Sequence, residues 1–350
     1  MSTQATPLFT IGIPTYNRSK FLAFTIESIL KQDFTDYEII IFDNNSTDNT
    51  QETIKEFQKK TNKIRYYKLS KNISAQKNVI NCFLHARGNY LFNLFDDDLI
   101  LRPDTLSYLK KIITKHHPGL IKIGALFYFE KYESIKDIYK GICFDKHLEI
   151  IKKDDPNFVK KISSKSLEFG SGTVVLLDKS KLDLLNEKDV LYYNLAYYYN
   201  AIKKNGALIV GKYYILGRYF VTGHVVYDFL EPAFSLDTQL DISKKYIQDN
   251  RYYDIFANEM RRSWLLSVIN LGLVGVPKKM LFRCIKKIFN RDKHIVKNLP
   301  YYLLSLLSLI TPEILLSILK KMYVKKLTSN ASARIKDEKL EPYFENIEIR

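Results

Sequence analysis

Three consecutive carboxylates, Asp96, Asp97 and Asp98, follow an apolar stretch and come shortly before Pro103. Each negative charge raises the free energy needed to ionise its neighbours, and an ordinary turn needs only one Asp or Asn. Either a positive group compensates these acids, or the loop that carries them is unusually well solvated. We call these three residues the acid cluster.

Two further polar clusters follow apolar runs of the same kind. Residues 14–18, Pro-Thr-Tyr-Asn-Arg, come after a β-branched run, and residues 43–46, Asp-Asn-Asn-Ser, end the apolar run that starts at Tyr37. In open α/β sheets the ligand lies outside the carboxyl ends of the strands. We therefore expect three loops to converge on one crevice, which is the strongest functional signal from the residues alone.

The elements that must position these loops alternate between strand and helix from Leu8 to about Glu130. Apolar runs predict four strands, at residues 8–14, 37–43, 63–69 and 89–95. Helical periodicity and capping residues predict helices at 20–32, with Ser19 as the N-cap, and at 46–58, 74–87 and 104–116. Strands that alternate with helices at this spacing indicate an α/β fold, with a mostly parallel sheet between two helical layers.

The second half of the chain shows a different pattern of predicted strands and helices. Residues 169–185 predict a glycine-flanked strand and a helix, residues 205–224 predict one or two strands, and only helices are expected from about Tyr252. The chain has 350 residues, 46% of them hydrophobic, and three cysteines without metal-site spacing. These features favour a folded protein of a reducing compartment over a disulfide scaffold or a zinc protein.

The formal net charge of +16 is concentrated near the end of the chain. Residues 261–334 contain ten lysines and five arginines against two acidic residues, a net charge of +13, while the first 260 residues are close to neutral. A nucleic-acid-binding core would spread its cations through the folded domain. A basic C-terminal region instead suggests binding to an anionic surface.

Four ordered motifs resemble glycosyltransferase family 2, whose members have the GT-A fold, a Rossmann-like fold that binds nucleotide-sugars. The matching segments are Ile13 to Arg18, Asp43 to Asp48, Asn72 to Asn78, and Gly88 through the acid cluster to Pro103 and Leu106. The resemblance is clear over residues 7–120 and weak over residues 168–225. It implies a glycosyltransferase with a nucleoside-diphosphate-sugar donor.

The resemblance also implies roles for individual residues. Asp98 would bind a divalent cation, Mg²⁺ or Mn²⁺, directly, with Asp96 on the ribose or the metal's water shell, and His224 would complete the metal site. Asp43 would accept a hydrogen bond from the base. The remaining donor-binding residues would be Pro14, Thr15, Tyr16, Asn17, Asn45, Lys77, Asp97 and Gly172. Two substitutions depart from the family pattern: Asn44 replaces an Asp, and Lys77 replaces an Arg that would bind phosphate with two hydrogen bonds.

The catalytic base is the weakest part of the resemblance. Inverting transfer needs a carboxylate that deprotonates the acceptor hydroxyl, and the family supplies it about twelve residues before a glycine turn. Counting back from Gly206 reaches Asn194 and Leu195 rather than acids. Asp189 and Glu187 are therefore the candidates, with Asp183 as a weaker one.

The C-terminal region carries basic amphipathic segments. Residues 277–294 alternate apolar and basic side chains, and the apolar runs at 301–310 and 314–319 are too short for an ordinary membrane-spanning helix. We expect these helices to lie on the anionic inner face of the cell membrane. The alternatives are a helical bundle packed on the catalytic domain and a re-entrant or spanning segment. The predicted organisation is a catalytic domain at 1–250, a membrane-association region at 251–330 and a polar, loosely ordered tail at 331–350.

The sequence thus predicts a cytoplasmic, peripherally bound glycosyltransferase that acts on a glycan or a lipid-linked acceptor in lipopolysaccharide, O-antigen or capsule synthesis. The start of the chain lacks a signal-peptide pattern. Two alternatives stay open. The protein could be a non-catalytic nucleotide-binding or scaffold member of the same fold, or a sugar nucleotidyltransferase, although the glycine-rich phosphate loop of the latter is missing from residues 12–20. No nucleic-acid recognition motif is present.

Overall fold

The computed structural model of the protein describes most of the chain up to residue 273 and short pieces beyond it. The described residues are 6–129, 138–142, 144, 146–163, 165, 167, 170–185, 194–219, 239–273, 278–279, 282, 285–286, 322, 335–336 and 338–344. The predicted base candidates Glu187 and Asp189 and the predicted metal ligand His224 lie outside them.

The first half of the described chain alternates strand and helix as the sequence pattern predicts. The elements are β1 Phe9–Thr15, α1 Ser19–Leu30, β2 Tyr37–Asp43, α2 Thr50–Lys60, β3 Ile64–Lys68, α3 Ala75–His85 and β4 Tyr90–Asn93. The four strands pair in parallel in the order β3-β2-β1-β4. All seven residues of β2 are buried, as expected for a parallel strand that is covered on both faces.

The second half extends the same sheet with mixed pairing. Its elements are β5 Leu99–Ile100, α4 Thr105–His116, β6 Leu120–Phe129, β7 Ile138–Ile142, β8 Leu148–Ile151, α5 Phe158–Ser163, β9 Thr173–Leu176, a 3₁₀ helix Lys179–Leu184, α6 Leu195–Asn205 and β10 Ala207–Tyr219. Strand β9 runs antiparallel between β4 and β6, whereas β6 and β10 are parallel. The predicted α/β class is confirmed, and the sheet is parallel from β3 to β4 and mixed beyond β4.

Apolar side chains fill both faces of the sheet. On β2, Ile39 and Ile41 pack into one buried cluster with side chains of α1 and α4, and Ile40 and Phe42 pack into another with α3 and α6. Successive side chains of a strand point to opposite faces, so this run of four apolar residues joins the two helical layers. The predicted arrangement of helix, sheet and helix follows from this pattern.

Helix α1 begins differently from the prediction. Ser19 is its first helical residue rather than its N-cap, and the backbone N–H of Ser19 donates to Oδ2 of Asp48, 3.0 Å away. The helix buries Leu22, Ile26 and Ile29, which share one face at a spacing of four and then three residues. The carboxylate that caps α1 comes from the loop before α2. The sequence around Ser19 does not reveal it, so the predicted N-cap was wrong.

The long helix α7, Asn250–Leu273, starts close to the predicted beginning of the helical region. Among the helices that the structure describes, none combines the length and apolarity needed to cross a lipid bilayer.

The C-terminal segment 335–344 packs on the sheet and is not a loosely ordered tail in its described part. Ile335, Leu340 and Phe344 are buried in one cluster with residues of β5, β6 and β10. In addition, Glu338 accepts a 3.1 Å hydrogen bond from the backbone N–H of Tyr213 in β10. Burial of these three apolar side chains stabilises the segment on the sheet, even though most of its other residues are polar.

Candidate functional site

The ends of β2, β1 and β4 bring the three predicted loops together. These strands are adjacent and parallel, and Thr15 at the end of β1 pairs in register with Asp43 at the end of β2. The backbone N–H of Asn44 donates to the Thr15 carbonyl at 2.9 Å, and that of Leu94, after β4, donates to the Gly12 carbonyl at 3.1 Å. The acid cluster therefore begins beside the loop that follows β1.

The loops after β1 and β2 are joined by hydrogen bonds through Asn17. Its backbone N–H donates to the Ser46 hydroxyl at 2.9 Å, and its side-chain oxygen accepts from the backbone N–H of Thr47 at 2.7 Å. Asn17 and Asn45 have positive φ values of 52° and 64°, a conformation that Asn adopts more easily than most residues. Asn17 and Asn45 thus shape the rim of the crevice.

Two other predicted donor-binding residues lie in the same loop and differ in exposure. Pro14 is partly buried in β1, while the Tyr16 side chain is 45% exposed. Tyr16 therefore presents an aromatic surface to solvent.

Asp43 is completely buried at the end of β2. Its Oδ1 accepts from the backbone N–H of Ser46 at 2.7 Å, and its Oδ2 accepts from the Tyr66 hydroxyl of β3 at 2.6 Å. A carboxylate has about four acceptor positions, so each oxygen keeps one beyond the bond that it already accepts. Burial first, and then the Asp43 carboxylate, raise the pKa of Tyr66 above its usual range, which keeps this hydroxyl a donor.

The acid cluster is buried, and Arg18 pairs with two of its members. Asp96, Asp97 and Asp98 are 4%, 8% and 2% exposed. Nη1 of Arg18 lies 3.2 Å from Oδ1 of Asp96 and 2.8 Å from Oδ2 of Asp97. A guanidinium from the β1 loop therefore compensates part of the charge that the sequence shows at this position.

A second arginine, Arg218 of β10, was not predicted as a site residue. Its backbone N–H donates to Oδ1 of Asp98 at 3.1 Å, and its Nε lies 3.8 Å from Oδ2 of Asp97. The guanidinium lies over the Phe21 ring of α1, 3.5 Å from the ring centre. Arg218 is 120 residues from Asp98 in the chain, and nothing in the sequence near either residue indicates this contact.

Burial shifts the ionisation of two acids in the cluster. It raises the pKa of Asp96 to about 6, with the Asp97 charge adding to the shift and Arg18 opposing it. Burial and the Asp97 charge also raise the pKa of Asp98 well above its usual range, against hydrogen bonds from Ser171 and Arg218. Such shifts mark carboxylates that an additional cation would stabilise in the charged form.

The residues present fit a divalent cation through their oxygen donors. The Thr15 side chain is buried beside Asp96, yet its Oγ1 has no hydrogen bond of normal geometry. This hydroxyl therefore has bonding capacity for a ligand, next to carboxylate oxygens of the kind that Mg²⁺ and Mn²⁺ prefer. Within the described part of the chain, however, no three acidic, His or Cys side chains form a preformed metal cluster.

The segment from Gly170 to Thr173 supports Asp98 from the opposite side. The Ser171 hydroxyl accepts from the backbone N–H of Phe95 at 2.9 Å. The fully buried Lys122 of β6 donates to the Ser171 carbonyl and to the Thr173 hydroxyl, both at 3.1 Å. Gly172, which was predicted to bind the donor, has a φ of +72° in this segment. The backbone is thereby fixed beside the acid cluster.

The remaining predicted residues lie at or beyond the edge of this arrangement. Lys77 is exposed on the first turn of α3, whose N-cap is Ser74. Asn194 caps α6, the helix that occupies the position where acids were sought, and Asp183 is exposed in the 3₁₀ helix. Within the described ranges, the crevice thus lacks an identified base.

Comparison with known proteins places this domain in a family. Residues 10–169 match Glycosyl transferase family 2. GalNAc(5)-diNAcBac-PP-undecaprenol β-1,3-glucosyltransferase of Campylobacter jejuni is 32% identical over 150 residues, which cover 42% of this chain and 47% of the relative. Poly(ribitol-phosphate) β-N-acetylglucosaminyltransferase TarS of Staphylococcus aureus is 30% identical over 118 residues, 33% of this chain and 20% of the relative. The chain spans less than half the length of these curated relatives.

A solved structure supports the fold over a longer stretch. The mannosyltransferase PcManGT from Pyrobaculum calidifontis, in complex with GDP-Man and Mn²⁺, aligns over 94% of this chain and 86% of its own, with a TM-score of 0.50 and 15% identity. This likeness concerns the fold, whereas the sequence matches concern the family. On those matches and the motifs at the strand ends, residues 10–169 form a domain of Glycosyl transferase family 2.

Proposed function

We propose that this chain is a metal-dependent glycosyltransferase that moves a sugar from a UDP- or CDP-sugar to a glycan or lipid-linked acceptor. The observation that carries the proposal is the meeting of Thr15, Asp43 and the acid cluster at the ends of three adjacent parallel strands. Family membership supports it. The name of the Campylobacter jejuni relative, which includes an undecaprenol-linked glycan, supports a lipid-linked acceptor and synthesis of lipopolysaccharide, O-antigen or capsule.

Asp43 suits a pyrimidine base that donates a hydrogen bond. A carboxylate is an acceptor only, and uracil can donate its ring N–H at N3 whereas cytosine can donate its N4 amino group. Tyr66 and Ser46 fix the carboxylate through one hydrogen bond to each oxygen. The oxygens keep acceptor capacity towards a base in the crevice.

Asp98 and Asp96 would hold the divalent cation, as their oxygen donors suit Mn²⁺ or Mg²⁺. When bound, the cation supplies positive charge to the diphosphate, and that charge stabilises the departing nucleoside diphosphate. Arg18 and Arg218 bring further positive charge to the same corner. The Mn²⁺ named with the Pyrobaculum mannosyltransferase agrees with this choice of metal.

The proposed reaction is a displacement at the anomeric carbon of the donor sugar. An acceptor hydroxyl forms the new C1–O bond, the C1–O bond to the diphosphate breaks, and the nucleoside diphosphate leaves with that electron pair. A carboxylate takes the proton of the hydroxyl. Asp189 and Glu187 remain our candidates for this base, and the stereochemical course depends on its position.

Membrane association is part of the proposal. The net charge of +13 over residues 261–334 favours an anionic lipid surface. A lipid-linked acceptor is presented at such a surface, so docking there would raise its local concentration. We place the protein on the inner face of the cell membrane as a peripheral enzyme.

The experiment that tests the function measures the product released from the donor. Purified protein is incubated with Mn²⁺, UDP-glucose, UDP-galactose or UDP-N-acetylglucosamine, and an undecaprenyl-diphosphate-linked oligosaccharide. We expect release of UDP that the Asp98→Ala variant loses. Binding without UDP release would identify a non-catalytic member of the fold, and release of pyrophosphate on incubation with a nucleoside triphosphate and a sugar phosphate would identify a nucleotidyltransferase.

A further inference from the structure

Arg18 occupies the position between two carboxylates of the acid cluster. A single nitrogen, Nη1, contacts both Asp96 and Asp97, at 3.2 and 2.8 Å. Burial would lower the pKa of Arg18, but the charges of Asp97 and Asp96 raise it above its usual range. The protein thus neutralises part of its acid cluster with its own side chain.

The two arginines of the site differ in exposure. The Arg218 side chain is 7% exposed and stacked on Phe21, and its backbone is part of β10. The Arg18 side chain is 37% exposed and extends from the N-cap of α1, in the loop after β1. A ligand that approaches from solvent therefore meets Arg18 more readily than Arg218.

We propose that Arg18 is an exchangeable counter-ion: it neutralises Asp96 and Asp97 while the acids lack a metal, and it turns to the diphosphate of the donor when they hold one. The inference rests on the proposed function. Arg18 and a divalent cation held by Asp98 and Asp96 would share the Asp96 carboxylate, so each weakens the binding of the other. A guanidinium suits a diphosphate because it can donate two parallel hydrogen bonds to phosphate oxygens.

The Thr15 hydroxyl lies beside the same carboxylate. Its Oγ1 is buried next to Asp96, and its contact with that carboxylate falls outside normal hydrogen-bond geometry. A ligand that reached Asp96 would therefore meet this hydroxyl as well.

The exchange predicts opposite effects of one substitution on two ligands. Without nucleotide, Arg18→Gln removes the competitor of the metal, so Mn²⁺ should bind more tightly, by roughly tenfold. With Mn²⁺ saturating, the same variant has lost a diphosphate contact, so UDP should bind more weakly, also by roughly tenfold. A residue with a purely structural role would weaken both.

The test uses the full-length protein and measures binding rather than turnover. Mn²⁺ affinity is determined by electron paramagnetic resonance, and UDP affinity by calorimetry at saturating Mn²⁺. Arg18→Lys, which keeps the charge but lacks the planar fork, should fall between the wild type and Arg18→Gln in both measurements. Arg87→Gln is the matched control, since Arg87 is exposed before β4, at the opposite end of that strand, and it should match the wild type.

Thermal unfolding gives an independent readout if Arg18→Gln is less stable. Loss of Arg18 leaves buried acids without their partner, so Mn²⁺ should raise the melting temperature more in Arg18→Gln than in the wild type. Parallel weakening of Mn²⁺ and UDP binding, or no change in either, would overturn the exchange while leaving the proposed enzyme intact. Failure of the wild type to bind Mn²⁺ would overturn both the exchange and the proposed metal dependence.

Discussion

The Tyr66 hydroxyl donates a 2.6 Å hydrogen bond to Oδ2 of Asp43. This bond joins β3 to the end of β2 and fixes one oxygen of a carboxylate that is completely buried. The sequence presents Tyr66 as an ordinary strand residue, yet the structure makes it the side-chain support of the residue that we expect to read the base.

Replacing Tyr66 with Phe tests this support. The ring keeps its packing, but Asp43 loses a charge-assisted hydrogen bond, so we expect UDP to bind roughly three- to tenfold more weakly. Calorimetric titration with UDP measures the change. Tyr67→Phe is the control, because the Tyr67 hydroxyl contacts Arg65 and not the crevice. Equal UDP affinity in the two variants would refute the assignment of Tyr66.

Replacing Asp98 with Asn tests whether Asp98 binds the metal, because Asn has nearly the same shape as Asp but no negative charge. An amide oxygen is a poorer ligand for a hard dication than a carboxylate, so turnover and Mn²⁺ affinity should both fall, on the order of 100-fold. The assay is UDP release over a Mn²⁺ titration. Asp104→Asn serves as the control, since the Asp104 side chain pairs with Arg102. Wild-type Mn²⁺ dependence in Asp98→Asn would show that another residue binds the metal.

Asp48 should contribute to stability through two helices at once. Its Oδ2 accepts from the Ser19 N–H at the start of α1, and its Oδ1 accepts from the backbone and hydroxyl of Thr50 at the start of α2. Asp48→Ala should therefore lower the free energy of unfolding by about 1–2 kcal/mol at pH 7, measured by urea denaturation. Asp36→Ala, at an exposed position, is the control and should change little.

The contribution of Asp48 should also depend on pH with a defined sign. Burial alone would raise the pKa of Asp48, but hydrogen bonds from Thr50 and Ser19 outweigh it and lower the pKa below its usual range. A carboxyl with a lowered pKa in the folded state stabilises the fold above its unfolded pKa, and that contribution disappears as the pH falls through the folded pKa. The stability difference between wild type and Asp48→Ala should therefore be full at neutral pH and shrink in acid. A difference that grew on acidification would contradict the capping role.

Gly172 should be required for ligand binding as well as for stability. Its φ is +72°, and an added Cβ would lie 2.9 Å from Ile123 and 3.0 Å from Ile215. Gly172→Ala should cost about 1–2 kcal/mol in backbone strain and should shift Ser171, weakening Mn²⁺ and UDP binding. Gly206→Ala is a matched control, because Gly206 has a φ of +75° at the end of α6, away from the acid cluster. If both variants bound UDP equally well, Gly172 would be structural only.

The basic C-terminal region should bring the protein to anionic membranes. Each lysine near such a surface contributes about 1 kcal/mol, so replacing Lys320, Lys321, Lys325 and Lys326 with Gln should weaken flotation with phosphatidylglycerol vesicles. Substitution is preferable to truncation at about Tyr252, because segment 335–344 packs on the sheet and its removal would expose apolar surface. Equal flotation with neutral phosphatidylcholine vesicles, or none with either lipid, would contradict electrostatic docking.

The parallel half of the sheet was predictable because its signals are local. Residues 39–42 of β2 are all apolar, and the polar residues that follow them mark the end of a buried strand. The meeting of three loops then follows from the rule that parallel strands end at the same edge. The acid cluster and Asp43 were identified in this way.

The contacts that complete the site were not predictable because they join distant parts of the chain. Arg218 reaches Asp98 across 120 residues, and Asp48 caps a helix that begins 29 residues earlier. The packing of Phe344 and its neighbours depends on a tertiary surface that a tail composition does not reveal. Arg18 belongs to a motif that the sequence analysis identified, but the sequence did not show which acids it contacts.

The central claim is that the corner formed by Thr15, Asp43 and the acid cluster binds a divalent cation and a nucleoside diphosphate together. A crystal soaked with Mn²⁺ and UDP tests it most directly, through the anomalous scattering of manganese. The account predicts an anomalous peak beside Asp98, with the uracil ring next to Asp43. A peak elsewhere, or a corner without manganese and UDP at saturating concentrations, would contradict it.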